Sequence, residues 1–375
     1  MTGRPADDRL RAAVARNARL VRDTIRAIHA HPELPHEEHA SSRHLMQTLG
    51  SLGLDVEAGL AGMETGFRAT LRGASPGRTV GIVALYDAVA AVPPEGGIRA
   101  VHSCGHGPIS GSVVGALAAL AEHRTELSGN VMVMGCPADE IHAPATVSRG
   151  SGKALSAAAG AWDDVDAALY AHPEFIDTVS QSSLWMRRLT GRVSGSRSLA
   201  VGAEQPALDA AAVALETARS LPAGRAMLER LELDGDVEEG GGLVTLMTFL
   251  LWADDEAALD ALDEELRDAI VAEWTSGATV PGIVPDAAVT AAVAEAIGAA
   301  GRRFVEDPPP LPFATDFGAI SRRVPSALIG IGRAGGWAFH TPAGEEQFAS
   351  EDGVVAALAM AQVLALATSR LSRPH

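Results

Sequence analysis

The chain has 375 residues, too many for one ordinary core and suited to two domains, and 47% of them are apolar, which excludes wholesale disorder. A formal net charge of -17 makes nucleic acid and anionic membrane poor partners, and by itself says nothing about a substrate. No apolar leader follows Met1-Thr2-Gly3-Arg4, and no uninterrupted apolar run approaches the ~20 residues of a membrane span; with Cys104 and Cys136 as the only cysteines, a reducing cytoplasm is expected.

Leu10, Val14, Val21, Ile25 and Ile28 recur at three-, four- and seven-residue steps, which predicts one amphipathic helix over 7–30. Pro32 and Pro35 end it, because proline disfavours the helical conformation in the residue before it. A second helix is expected over 38–52. Short, dense apolar runs then fall at 79–85, 131–135, 167–171 and 327–331. Their length, with the apolar helix at 109–123 among them, predicts buried strands in a strand–helix alternating domain. From about residue 184 the texture changes. A helix over 205–220, a strand-like run at 243–252 and a charged helix over 255–274 suggest a small inserted α+β domain. The acidic residues of that last helix read as a solvated face. Gly150-Ser151-Gly152-Lys153 has the wrong glycine spacing for a phosphate loop.

Ligands of such sheets bind beyond the carboxyl ends of the strands. Asp87 follows the run at 79–85, Asp139-Glu140 the run at 131–135 and His172 the run at 167–171; His340 comes soon after 327–331. Cys104 and His106 sit just before the helix at 109. Five potential ligands, Cys104, His106, Glu140, His172 and His340, therefore converge on one rim. Thiolate, imidazole and carboxylate suit two divalent ions such as Zn, Mn, Co or Ni, which can polarise an amide carbonyl and activate water. Asp139, beside Glu140, could then carry the proton to the leaving amine. A free cysteine is commonly a small core residue, but Cys104 lies between His102 and His106 and reads better as a ligand, while Cys136 reads as core. His102 reads as support for a ligand, His29, His36, His39 and His44 as solvated or structural, and His142 as either exposed or facing the cleft. Ser196 and Arg197 could contact substrate or be plain surface, and Trp337 could line a pocket or pack.

Taken in order, these segments resemble the dinuclear metallo-amidohydrolases that include aminoacylases, aminobenzoyl-glutamate hydrolases and auxin–amino-acid conjugate hydrolases. The resemblance opens at His31-Pro32-Glu33-Leu34 with Glu37-Glu38, which is structural in the family, and runs nearly to the C-terminus. Tyr86-Asp87-Ala88 is similar to the family's metal-supporting aspartate motif. His102-Ser103-Cys104-Gly105-His106 is similar to His-Ala-Cys-Gly-His, and Pro137-Ala138-Asp139-Glu140 to Pro-Ala-Glu-Glu, whose first acid is the base and second a ligand. Ala171-His172-Pro173, then Thr315-Asp316-Phe317 and His340-Thr341-Pro342, complete the pattern, and Pro206-Ala207-Leu208-Asp209-Ala210 resembles the aminobenzoyl-glutamate branch.

The resemblance implies an α/β fold with a mixed, mostly parallel central sheet flanked by helices, as in zinc peptidases, and an inserted α+β lid. Residues 1–183 and 284–375 would form the catalytic domain and 184–283 the lid, through which the family forms homodimers. The implied reaction is hydrolysis of an amide in a small N-acyl amino acid or related molecule. Three departures qualify it. Asp139 stands for the base glutamate, Gly107 for an acidic or amide residue, and Ser194-Gly195-Ser196 falls where the family's lid histidine would be. An asparagine motif for the substrate carboxylate is also missing around 239–243. These losses leave two alternatives: the same site used for amide formation or another acyl transfer, and a metal-binding, catalytically silent paralogue.

Overall fold

The computed structural model describes residues 5–93, 96–196, 204–221, 224–235 and 241–374. Two compact units result: residues 1–182, 284–309 and 319–375 form the first, and 183–283 with 310–318 the second.

The first unit is built on a six-stranded sheet. Its order is Asp55–Ala58, Phe67–Arg72, Ser128–Gly135, Ser75–Ala84, Ala167–Glu174, Ser326–Gly332. The last four run parallel to one another, and Phe67–Arg72 is antiparallel to both of its neighbours. This is a mixed, mostly parallel sheet. Val80, Ile82, Val131, Val133, Leu169 and Ile329 are all fully buried, which is why these strands read as near-continuous apolar runs with no polar alternation. Helix His106–Glu122 is buried along almost its whole length and has no polar face. It packs against Glu351–Leu371, which also contacts Ala287–Ala299. Among the described residues, Glu351–Leu371 alone is long and apolar enough to cross a membrane, and 67% of its most apolar stretch is buried in this core.

The expected helix over 7–30 is two helices, Pro5–Arg16 and Ala18–Ala30. The break is Asn17, whose side-chain amide bonds the Ala13 carbonyl at 2.9 Å and Glu122 at 2.6 Å. Asparagine competes with the helix ladder in this way, and periodicity alone does not register it.

In the second unit a four-stranded antiparallel sheet has the order Glu273–Ser276, Trp185–Ser196, Gly242–Ala253, Ala226–Gly235. Helices Pro206–Ser220 and Glu256–Ala269 share a core with its Trp185, Leu189, Met247 and Phe249. The helix expected over 255–274 stops at Ala269, and Glu273–Ser276 is an edge strand. The reason is local: Ile270 is extended, and Trp274 and Thr275 are strand formers that pair with Gly191 and Thr190. Residues 310–318, expected with the catalytic portion, belong to the second unit. A bridge between Ser183 and Leu311 and a bond from Leu184 N to the Phe313 carbonyl hold them there.

Candidate metal centre

Because four strands of the first unit are parallel, their carboxyl ends share one rim, and the loops leaving that rim carry the polar side chains. One ligand atom each from Cys104, Glu140 and His340 lie within 4.8 Å of one another. His106 joins them, with Nε2 3.8 Å from Glu140 Oε1.

Each group is fixed by its own local chemistry. Gly105 has φ +96, and a Cβ there would stand 2.9 Å from Pro173 Cγ, so only glycine lets Cys104 and His106 flank this turn. His340 also takes a left-handed conformation, φ 58, and its amide bonds the Ser103 carbonyl at 2.9 Å, which ties the two candidate segments together. Thr341 then caps the helix Pro342–Ala349 by accepting from the Gly344 amide.

Asp87 organises the next layer. Its Oδ1 lies 2.9 Å and its carbonyl 2.7 Å from His106 Nδ1, and its Oδ2 takes the Glu140 amide at 3.0 Å. Burial opposes charge on both partners. Even so, the Asp87 carboxylate holds the His106 imidazole well above its usual range, while His106 holds Asp87 below its own. Burial, with Asp87 nearby, raises Glu140 to about 7. Burial and then Glu140 push the Cys104 thiol up to about 12. His340 is lowered by burial and by His106, His142 and His172, which favours the neutral imidazole that a metal needs.

His106 Nε2 and Glu140 Oε1 are buried and make no hydrogen bond. Buried polar atoms are nearly always paired, and two orphans facing a thiol and an imidazole fit a divalent cation.

His172 stands outside the group of three. Its Nδ1 is 3.0 Å from Glu174 Oε1, and its ring stacks on Phe339 at 5.7 Å, next to His340 in sequence. Glu174, buried at 4% exposure, is not apparent from the sequence motifs, although two-residue spacing along a strand puts it on the face of His172. Phe339 and Phe175, whose rings meet edge to face at 5.6 Å, carry no sequence signal either.

Two further contacts emerge only here. The Lys153 ammonium, wholly buried, bonds Oδ1 of Asp139, whose Oδ2 lies 3.3 Å from His106 Nε2. Glu38, also wholly buried, accepts from the His36 and Ala138 amides at 2.8 Å each and from the Thr65 hydroxyl at 2.7 Å. Ala138 has φ 56, so Glu38 braces a strained backbone just before Asp139 and Glu140.

The remaining candidates divide. His102 is buried and pushed down to about 4 by burial and then by His106, so it is neutral. His142 is exposed, and it is one of the histidines near His340 that lower it. Trp337 is 5% exposed, stacked on Phe348 at 4.6 Å with the Arg333 guanidinium 4.7 Å from its ring. Ser196 is exposed at the end of its strand in the second unit, and Arg197 lies outside the described residues.

This fold and site define a class. Residues 85–366 match the model of peptidase family M20/M25/M40, and the chain belongs to that family of hydrolases. It is 32% identical over 121 residues to thermostable carboxypeptidase 2 of Saccharolobus solfataricus, covering 31% of this chain and 30% of that protein. It is 30% identical over 155 residues to a subunit of the p-aminobenzoyl-glutamate hydrolase of Escherichia coli, covering 38% of this chain and 30% of that one. The chain thus aligns with about a third of the length of these curated relatives. A Bacillus subtilis structure described as a dinuclear metal-binding peptidase of the M20 family superposes with a TM-score of 0.70 at 20% identity, over 95% of this chain and 98% of that one.

Proposed function

We propose that this protein is a metal-dependent amidohydrolase acting on a small N-acyl amino acid or related amide. One observation carries the reading: three different ligand types, Cys104, Glu140 and His340, stand within 4.8 Å of one another beside the carboxylate of Asp139. Cys104, His106, Glu140, His172 and His340 would hold two divalent ions, in keeping with the dinuclear relative of the same fold. Such ions supply Lewis acidity toward an amide carbonyl and lower the pKa of water.

The chain's own groups do the rest. Asp139 takes a proton from the attacking water and returns it to the departing amine. Asp87 sets the tautomer of His106 and the backbone position of Glu140. Glu174 does the same for His172. The relatedness to a carboxypeptidase and to an aminobenzoyl-glutamate hydrolase supports an amide with an amino-acid component.

The second unit serves as lid and dimer contact in this reading, and the cytoplasm as compartment. Leu208 and Leu215 on one helix and Met227 and Leu233 on an edge strand are exposed apolar groups that suit a second copy. Among the described residues Cys104 and Cys136 form no disulfide, which suits a reducing compartment.

The deciding experiment combines metal analysis with turnover. Purified protein should carry up to two divalent ions per chain and hydrolyse members of a panel of N-acyl amino acids and p-aminobenzoyl-glutamate. Metal-replete protein inert toward the whole panel would remove the hydrolytic assignment.

A further inference from the structure

Lys153 has no part in the reading above, yet it is 0% exposed and bonded to the proposed base. A buried ammonium is expensive, and an apolar residue of the same volume would commonly serve stability as well or better. Its placement is specific. Lys153 follows Gly152, whose amide bonds the Pro137 carbonyl at 3.0 Å, and a Cβ at 152 would collide with that carbonyl. The short helix Gly152–Ala158 is thereby clamped to the loop that carries Asp139 and Glu140. The ammonium also stands 5.1 Å from the centre of the Tyr170 ring, two residues before His172. Lys153 therefore sits between the loop that carries Glu140 and the strand that carries His172, two of the proposed ligands.

Asp139 lies close to the ligand atoms. Its Oδ2 is 3.3 Å from His106 Nε2, the imidazole nitrogen that Asp87 leaves for a metal. A carboxylate this near could itself become a ligand, and proton transfer would then lose its acceptor. We infer that Lys153 is a positioning residue: by holding Oδ1 it keeps Asp139 out of the metal-ligand set and leaves Oδ2 as the oxygen that moves the proton. The inference rests on reading Asp139 as the base and Glu140 and His106 as ligands.

The test uses the full chain loaded with Co(II), with the absorption spectrum and the kinetics of the best panel substrate as independent readouts. In Lys153→Met the freed carboxylate should join the metal, so the cobalt spectrum shifts and kcat falls ~100-fold, with KM little changed. Lys153→Arg should restore part of both. In an Asp139→Asn background, Lys153→Met should change neither, because its effect runs through Asp139. A Lys153→Met protein with the parent spectrum and kcat overturns the proposal. So does an equal spectral shift in the Asp139→Asn background. Should Lys153→Met fail to fold, the double variant, which leaves no buried charge unpaired, is compared with Asp139→Asn: matching cobalt spectra support the proposal and differing spectra overturn it. Full turnover by Asp139→Asn removes the base assignment instead, and the cobalt spectra still decide whether Lys153 holds Asp139 off the metal.

Discussion

Asp87 grips His106 Nδ1 at 2.9 Å while its other oxygen takes the Glu140 amide at 3.0 Å, so a single buried carboxylate fixes two of the proposed ligands. Removing a partner of this kind costs about 10- to 100-fold in metal affinity. Asp87→Asn should lose roughly that much, measured by chelator competition, with the fold kept. Unchanged affinity would show that His106 is not held for a metal.

Metal uptake should release protons. Without metal the Cys104 thiol is pushed up to about 12 and Glu140 to about 7, and His106 is raised, so below pH ~7 all three carry protons that a cation must displace. Affinity should therefore rise with pH, and Cys104→Ser should bind more weakly while releasing fewer protons in a weakly buffered titration. Glu140→Ala and His172→Ala should each lower the bound metal content. A pH-independent affinity in the parent protein would contradict this ligand set.

Asp139→Asn should keep its metal and lose about 100- to 10,000-fold in kcat, the usual contribution of a general base. Asp139→Glu tests reach: with one more methylene, it should turn over simple N-acyl amino acids faster than the parent. No gain in that variant, with parent and Asp139→Asn equally inert, would favour the catalytically silent alternative.

Read as a lid, the second unit should restrict the substrate. A preorganised donor toward a developing oxyanion is worth about 100- to 1,000-fold, and no histidine falls in the segment where the family pattern expects one. Generic N-acetyl and N-benzoyl amino acids should therefore be poor substrates, and Ser196→Ala or Arg197→Ala should change turnover of the true one. Rapid hydrolysis of the generic compounds, indifferent to both substitutions, would return the protein to the ordinary aminoacylase-like group.

Glu38 should mark the pH dependence of stability in the metal-free protein. Burial, then Asp87, raises it to about 7, so the folded state binds its proton more tightly than the unfolded chain does. That contribution is complete below pH ~4.5 and is lost as pH rises through about 7, to the extent of roughly 3 kcal/mol. Glu38→Gln keeps the shape and should flatten part of this slope in denaturant titrations across that range, with Glu140 retaining its own share. Glu38→Ala removes the brace on Ala138 and should lower stability at every pH, and turnover with it.

The order of chemistry along the chain is legible in the residues themselves. Buried parallel strands read as apolar runs, and a parallel sheet can present ligands only at its carboxyl ends, so Asp87, Asp139, Glu140 and His172 mark a rim by position alone. Local conflicts are less visible. Asn17 breaks a helix that periodicity makes continuous, and Glu273–Ser276 leaves a charged helical pattern for an edge strand because its partner strand is distant in sequence. The pairings that finish the site lie beyond sequence reading. Lys153 meets Asp139 across 14 positions, and Glu38 meets Ala138 across 100. Neither pairing leaves a local periodicity, since each is set by where two loops leave the sheet. The sequence determined which groups stand at the rim; only tertiary packing decided which carboxylate is clamped, which is buried with its pKa raised, and which is left facing the proposed metal ligands.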